Sequence, residues 1–302
     1  MPGPASASFG PQKSVHGEVA LITGGGSGIG RLLALRMAKS GAKVALLDIN
    51  EAGAKSVAGE IQASGGEAVA VKCDVTKHEA VREAVAEARA ALGEITILVN
   101  NAGVVSGKPL LETSDRAIEL TFAVNVIAHY WTLKECLPSM IARNHGHVVT
   151  LASAAGWCGV PRQCDYAASK WAANGLAESL RMELRRDGVT GVKTTCVCPY
   201  FIDTGMFDGV RGSWMPLLPI LKPDYVVDRM MTAIRRDTAV LNLPMIVNLT
   251  PLMRSVMPTW MFDWTAEFLG ITNSMDDFAG KRSIGKPAAA SAASAAAASG
   301  SA

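Results

Sequence analysis

Charged side chains are scarce in this 302-residue chain, at 19%, and aromatic ones scarcer, at 6%. A net charge of only +2 makes nucleic acid an unexpected partner, because phosphate binding needs a concentrated basic surface. No uninterrupted apolar run reaches the ~18 residues of a membrane-crossing helix. The opening MPGPASASFGPQKSVHG has no apolar core, so it does not read as a secretory signal. Six cysteines lack the paired spacing of a small secreted scaffold and read as reduced thiols inside a cell. His145 and His147 share a strand face, as do Cys196 and Cys198. Neither pair has the further spaced partners of a zinc site, so no metal is expected.

What is present is a large apolar fraction, 49%, in a chain long enough to bury a core without disulfide or metal. Short aliphatic runs at Val19–Thr23, Lys43–Leu47, Glu67–Asp74, Ile95–Asn100, Gly146–Ala152 and Lys193–Pro199 alternate with helical patterns. Those patterns lie near 28–40, 51–64, 77–92, 114–142 and 165–187, and a weaker strand near Leu243–Val247 follows. Crossovers of that length imply an α/β fold, a single Rossmann-type doubly wound parallel sheet with helices on both faces. The catalytic domain is expected over 17–282, after a flexible Pro/Gly/Ser-rich arm at 1–16. A low-complexity alanine-rich tail at 283–302 is expected to be disordered.

The run VALITGGGSGIGRLLA joins a buried strand, a glycine-rich turn and a helix start. Gly24, Gly28 and Gly30, with Ser27 and Ile29, follow T-G-x-x-x-G-x-G rather than the strict G-x-G-x-x-G, because Ile29 stands where a third glycine would fall. The physics is shared: bare backbone amides and a helix N-terminus can approach a pyrophosphate. Asp48 closes the second strand, where a carboxylate accepts the hydroxyls of an adenosine ribose and repels a 2′-phosphate. NAD is therefore expected over NADP. Asp74 and Val75 end the third strand, where adenine would lie. The run Asn100, Asn101, Ala102 and Gly103 suits a turn hugging a ligand, though an ordinary loop has the same composition.

Tyr166 and Lys170 are one helical turn apart on one face, and Ser153 ends the fifth strand where open α/β sheets place ligands. A free phenol ionises near pH ~10, so acting at neutrality costs about 4 kcal/mol. One ammonium at ~4 Å in an effective dielectric of ~20 supplies about that much. Tyr166 would then be a general acid/base and Ser153 a hydrogen-bond donor to the substrate oxygen.

The residues TGGGSGIG, Asp48, NNAG, Asn125, Ser153, YAASK and CPYFIDTG together resemble the short-chain dehydrogenase/reductase superfamily over roughly 17–245. The resemblance implies that Ser153, Tyr166 and Lys170 are catalytic and that the backbone carbonyl of Asn125 holds a water in a proton relay. It implies further that Lys170 grips the nicotinamide ribose and that Asn101, Ala102 and Gly103 line the cofactor cleft. Pro199, Ile202 and Thr204 would flank the cofactor, Thr204 meeting its carboxamide. Pro199-Tyr200 replaces a common Pro-Gly. With DIN, RNHGHVV and CPYFIDTGMF, it resembles the branch of retinol and 17β-hydroxysteroid dehydrogenases of endoplasmic reticulum and lipid droplets. That branch usually begins with a hydrophobic anchor, which is not found here. The expected location is therefore cytoplasmic, or peripheral on those membranes. A homodimer or homotetramer is implied through the 114–142 helix and the helix after Tyr166.

The segment 205–222 interleaves helix breakers with Met206, Phe207, Trp214, Met215, Leu217 and Leu218, as in a mobile apolar flap over a greasy substrate. Trp157, Val160 and Tyr200 would line the same pocket. The apolar stretch 241–270 could be a buried extension, a dimer surface or an interfacial membrane patch. The expected function is NAD-dependent interconversion of a lipophilic alcohol (steroid, retinoid or fatty alcohol) and its carbonyl. The alternatives are an NADP-dependent carbonyl or ketoacyl reductase, or a cofactor-bound scaffold at a membrane or lipid droplet with little turnover.

Overall fold

Burial alternates with the pleat of the strands, and that alternation makes a sheet with two apolar faces. In β1 (Val19–Thr23), Ala20 and Ile22 enter one core while Val19 and Leu21 enter the other. β2 (Lys43–Asp48) repeats the rule, with Val44 and Leu46 on one side and Ala45 and Leu47 on the other. The computed structural model describes residues 12–214 and 218–279. Within them β3 (Ala68–Lys72), β4 (Ile97–Asn100), β5 (Gly146–Leu151), β6 (Val192–Pro199) and β7 (Val240–Leu243) complete the sheet. It has seven parallel strands in the order β3-β2-β1-β4-β5-β6-β7.

Helices α1 (Gly28–Lys39), α2 (Glu51–Ala63) and α7 (Pro223–Arg235) cover one face; α3 (His78–Leu92), α5 (Ala128–Ala142) and α6 (Cys164–Arg186) cover the other. The chain winds outward in both directions from the β1–β4 boundary, so a crevice opens there beyond the carboxyl ends of the strands.

Six strands lie within two residues of the sequence expectation. The seventh is earlier, at Val240–Leu243, because Pro244 has no N–H with which to extend a ladder. The single helix expected over 114–142 is α4 (Asp115–Phe122), a π-helical turn (Ala123–Ile127) and α5. Three helices were not anticipated: α7, α8 (Leu249–Val256) and α9 (Thr259–Phe268). Yet α7 carries a readable signature, with Pro223 in its first turn and Val226, Val227, Met230, Met231 and Ile234 as one buried stripe.

Of the arm expected at 1–16, residues 1–11 lie outside the described residues and 12–16 pack onto the domain. Lys13 donates its backbone N–H to Arg235, and Val15 is buried. The alanine-rich tail, and Met215 and Leu217 of the flap, lie outside the described residues.

Lys13 also reaches the buried His147, its Nζ donating to Nδ1 at 2.7 Å, and it pairs with Asp237 at 2.6 Å. An ammonium can only donate, so Nδ1 accepts and Nε2–H points to the Thr195 hydroxyl at 2.8 Å. Burial pushes His147 down to about 4, and another buried histidine, His129 on α5, down to about 3. Both are neutral when folded and take up protons when unfolded below about pH 6.5. The unfolded state then binds more protons, so stability is fully present above that pH and is lost as pH falls. Urea denaturation between about pH 7 and about pH 5 is expected to show a loss approaching about 1.4 kcal/mol per pH unit for each histidine. A level profile over that range would contradict it.

Candidate active site

Thr23, at the end of β1, organises the crevice. Its hydroxyl oxygen accepts from the backbone N–H of Asn101 and of Ala102, each at 3.0 Å. The Asn101 amide returns two bonds, to the carbonyls of Thr23 (2.8 Å) and Gly24 (3.1 Å). The turn after β4 is thereby stitched to the glycine turn after β1. Gly24 has φ +66°, and a Cβ there would lie 3.0 Å from Ala102 Cα. A Cβ on Gly30 would lie 2.2 Å from the Gly24 carbonyl oxygen, so its absence lets α1 seat on the turn.

Gly28 differs. Its φ is +54°, but the nearest atom to a Cβ would be on Thr204, 3.8 Å away. The space over that glycine is open, and α1 begins beside it with no acidic residue in its first turn. Such a bare, positively polarised helix start fits a pyrophosphate. Asp48 fixes the rim, its carboxylate accepting from Gly26 N–H and Asn50 N–H, both at 2.9 Å. Arg31, the basic residue beside the turn, is held by Glu60 on α2 through two contacts, at 2.5 and 3.2 Å.

Across the crevice, Ser153 follows β5 and caps a short 3-10 turn, accepting from Ala155 N–H at 3.1 Å. Tyr166 and Lys170 lie in the first turns of α6, both buried. Lys170 Nζ donates to the Leu151 carbonyl at 2.8 Å and sits 5.5 Å from the centre of the Tyr166 ring. A Cβ on Gly103 would stand 3.7 Å from that Nζ and 3.5 Å from Asn125 Oδ1. Asn125, in the π-helical turn, accepts from Val104 N–H and donates to Val104 O and Ser169 Oγ. It thereby joins the β4 loop to α6.

These groups open onto one cleft of about 620 Å³. Gly24, Ser27, Gly28, Ile29, Asn101, Ala102, Gly103, Pro199, Ile202 and Thr204 line it together with Ser153, Tyr166 and Lys170. Gly30, Asp48, Asp74, Val75 and Asn125 do not, Asn125 being fully buried behind the cleft. Gly30 is a packing glycine, Asp48 sits at the rim, Asp74 is turned to Thr76 (2.7 Å) and Val75 is core. Of the expected substrate residues, Val160, Tyr200, Met206 and Phe207 are on the wall, with Phe207 edge-on to Tyr166 at 5.9 Å. Trp157 is not on it, because its indole N–H is drawn away to Asn242 at 2.9 Å. Trp214 is exposed and bonded to the Phe268 carbonyl.

Residues 18–213 match the family model described as short chain dehydrogenase. The chain belongs to that family. Human epidermal retinol dehydrogenase 2 is 42% identical to it over 269 residues, 89% of this chain and 87% of that protein. Retinol dehydrogenase 10 of Rattus norvegicus is 41% identical over 298 residues, covering 90% and 87%. A short chain dehydrogenase/reductase from Burkholderia phymatum, crystallised in complex with NAD, superposes with a TM-score of 0.73 at 29% identity, covering 80% of this chain and 95% of that one. The chain is thus an NAD(P)-dependent oxidoreductase acting on CH–OH groups, and the glycine cradle fits a nicotinamide dinucleotide.

Two features of the dehydrogenase were not legible beforehand. The first is the roof: Leu249 and Met253 from α8 and Thr265 and Phe268 from α9 line the cleft, although that stretch carried no reading more specific than burial, dimer or membrane. The second is Asp165, buried and locked by Ser106 (2.7 Å) and Thr121 (2.8 Å), which holds the start of α6.

The electrostatics of the chain by itself differ from the expectation that one ammonium supplies about what the phenol needs to act at neutrality. Burial pushes Tyr166 up to about 12, against which a hydrogen bond from Ser153 pulls downward. Burial also pushes Lys170 down to about 8. The ammonium flanks the ring and donates to the Leu151 carbonyl, and desolvation is the largest influence on the phenol. Thr23→Val, isosteric but without the acceptor, would leave two partly buried amides without their partner. It is expected to cost about 2 kcal/mol or more of unfolding free energy and to weaken dinucleotide binding, measured by chemical denaturation and calorimetric titration.

Proposed function

We propose that this dehydrogenase uses NAD to interconvert a lipophilic alcohol of the retinol type and its carbonyl, with Tyr166 as the proton-transferring group. The observation that carries this reading is the convergence of Ser153, Tyr166 and Lys170 on one cleft. That cleft runs from a glycine cradle at one end to an apolar roof at the other.

The preference for NAD rests on charge. Asp48 presents a carboxylate at the rim of the adenosine end, and the nearby Arg31 is occupied by Glu60. A 2′-phosphate there meets repulsion rather than a counter-charge. Gly24, Gly28, Gly103 and Thr204 would hold the dinucleotide along the cleft. When bound, its oxidised form supplies the hydride acceptor and a positive ring charge. The Ser153 hydroxyl orients the alcohol oxygen, and Tyr166 Oη takes the hydroxyl proton. Lys170 keeps a positive charge beside the phenol, lowering the cost of the phenolate.

The names of the curated relatives support a retinoid-type substrate, as do the Met206, Phe207 and Phe268 walls. Among the described residues no helix is long and apolar enough to cross a membrane. The outer face of α8 and α9 exposes Val256 (69%), Trp260 (72%) and Trp264 (60%), which supports peripheral contact with a lipid surface. Tyr130 on α5 and Trp171 and Met182 on α6 are also exposed and support a homodimer seam along those helices.

Retinol with NAD, followed by fluorescence of the reduced dinucleotide, tests the reading. Oxidation is expected to accelerate as pH rises, since the phenolate is the active form, up to an alkaline limb where Lys170 loses its proton, and carbonyl reduction to slow over the same range. Tyr166→Phe is expected to lose turnover by about 10²–10⁴-fold while still binding NAD. Full turnover of that variant rules out the role given to Tyr166. Tighter binding of NADP than NAD rules out the one given to Asp48.

A further inference from the structure

One face of the helical stretch through α4, the π-helical turn and α5 carries polar side chains where a buried helix face is ordinarily apolar. Thr121, Asn125, His129 and Thr132 follow one another at intervals of four, four and three, which keeps them on one side. None is more than 2% exposed. Three are engaged: Thr121 with Asp165, Asn125 with Val104 and Ser169, and Thr132 with Asn100 Oδ1 at 2.7 Å. His129 is not. Neither ring nitrogen has a hydrogen-bond partner among the described residues, and neither does Nδ2 of Asn100. The Thr132 hydroxyl reaches the Asn100 side chain through Oδ1 at 2.7 Å and the backbone carbonyl of His129 at 3.0 Å.

Buried polar atoms are almost always satisfied, by protein or by water. A buried water itself needs two to four polar partners, and His129 and Asn100, the two residues that the Thr132 hydroxyl reaches, carry three unpaired nitrogens between them. The Lys170 end of the stripe is placed by Gly103, whose missing side chain leaves Lys170 Nζ and Asn125 Oδ1 on either side of one small space. His129 is the next turn along.

We propose that His129 and Asn100 hold a small buried water cluster next to Lys170, and that His129 is a positioning residue keeping Lys170 protonated beside Tyr166. The inference rests on the acid/base reading of Tyr166 and Lys170. Burial and the charge of Lys170 hold the imidazole down at about 3, so it is neutral throughout the working range. A neutral imidazole keeps one bare nitrogen as acceptor, and a water between it and the ammonium passes that acceptance on. The charge of Lys170 is thus favoured against the burial that depresses it. The other titratable groups bearing on Lys170 are Tyr166 one turn earlier and the thiols of Cys196 and Cys198 on β6.

The test is the pH profile of retinol oxidation by the full-length enzyme with NAD. His129→Phe is expected to move the acid limb up and the alkaline limb down, each by about one unit, with roughly tenfold loss at the optimum. The KM for NAD and the melting temperature are expected to stay near wild type. His129→Gln, which keeps an acceptor and a donor, is expected to restore both limbs. A uniform loss without movement of the limbs, or no change at all, overturns the proposal. A crystal structure of the wild-type protein decides independently of any variant's folding. Ordered water bonded to a His129 ring nitrogen and to Asn100 Nδ2 supports the proposal, and a dry site sinks it. Absence of retinol turnover in the wild type would count against the functional reading instead and leave the crystallographic arm intact.

Discussion

The cleft depends on the stitching between the ends of β1 and β4. Parallel strands that part company leave their terminal amides without ladder partners, and those amides must be paired some other way if the gap is to stay dry and shaped. Here one threonine hydroxyl and one asparagine carboxamide do it, closing four hydrogen bonds across the boundary. Gly24 and Gly30 can then come as near as they do, α1 starts where it must, and the dinucleotide end of the cleft has a floor. Across the gap, Asn125 and Asp165 play the corresponding part for α6, tying its first turns to the β4 loop and to α4.

At the reacting end, desolvation and charge oppose one another. Desolvation raises the phenol and lowers the amine, which taken alone would make both worse at their tasks. A site of this kind works only if further charge or hydrogen bonding arrives to offset burial. The burial is not incidental, since it strengthens every remaining electrostatic contact in the cleft.

Much of this was legible in the residues. The pleat-period runs place six strands closely because buried parallel strands are continuous aliphatic segments with unambiguous ends. The glycine turn, Ser153 and the Tyr166–Lys170 pair were readable because their chemistry requires those residue types at those spacings. What was not legible is long-range. Nothing near Trp157 announces that Asn242, 85 residues on, will take its indole N–H. Nor does anything local to Asp165 foretell Thr121 and Ser106. Helix α7 differs: its buried stripe is written in the chain, but it directly follows a proline-rich segment with no helical period leading into it. The magnitude assigned to Lys170 failed because sequence spacing fixes which face a side chain occupies, not which carbonyl it chooses.

The family match ends at residue 213, while the roof of the cleft is supplied by α8 and α9, beyond it. The glycine turn, Ser153, Tyr166 and Lys170 lie within that match together with Val160, Tyr200, Met206 and Phe207 of the wall, and α8 and α9 add the rest of the apolar surface from outside it. Substitutions in α8 and α9 can retune which molecules are admitted without touching Ser153, Tyr166 or Lys170. Inheritance can act on appetite and on reactivity as separate traits.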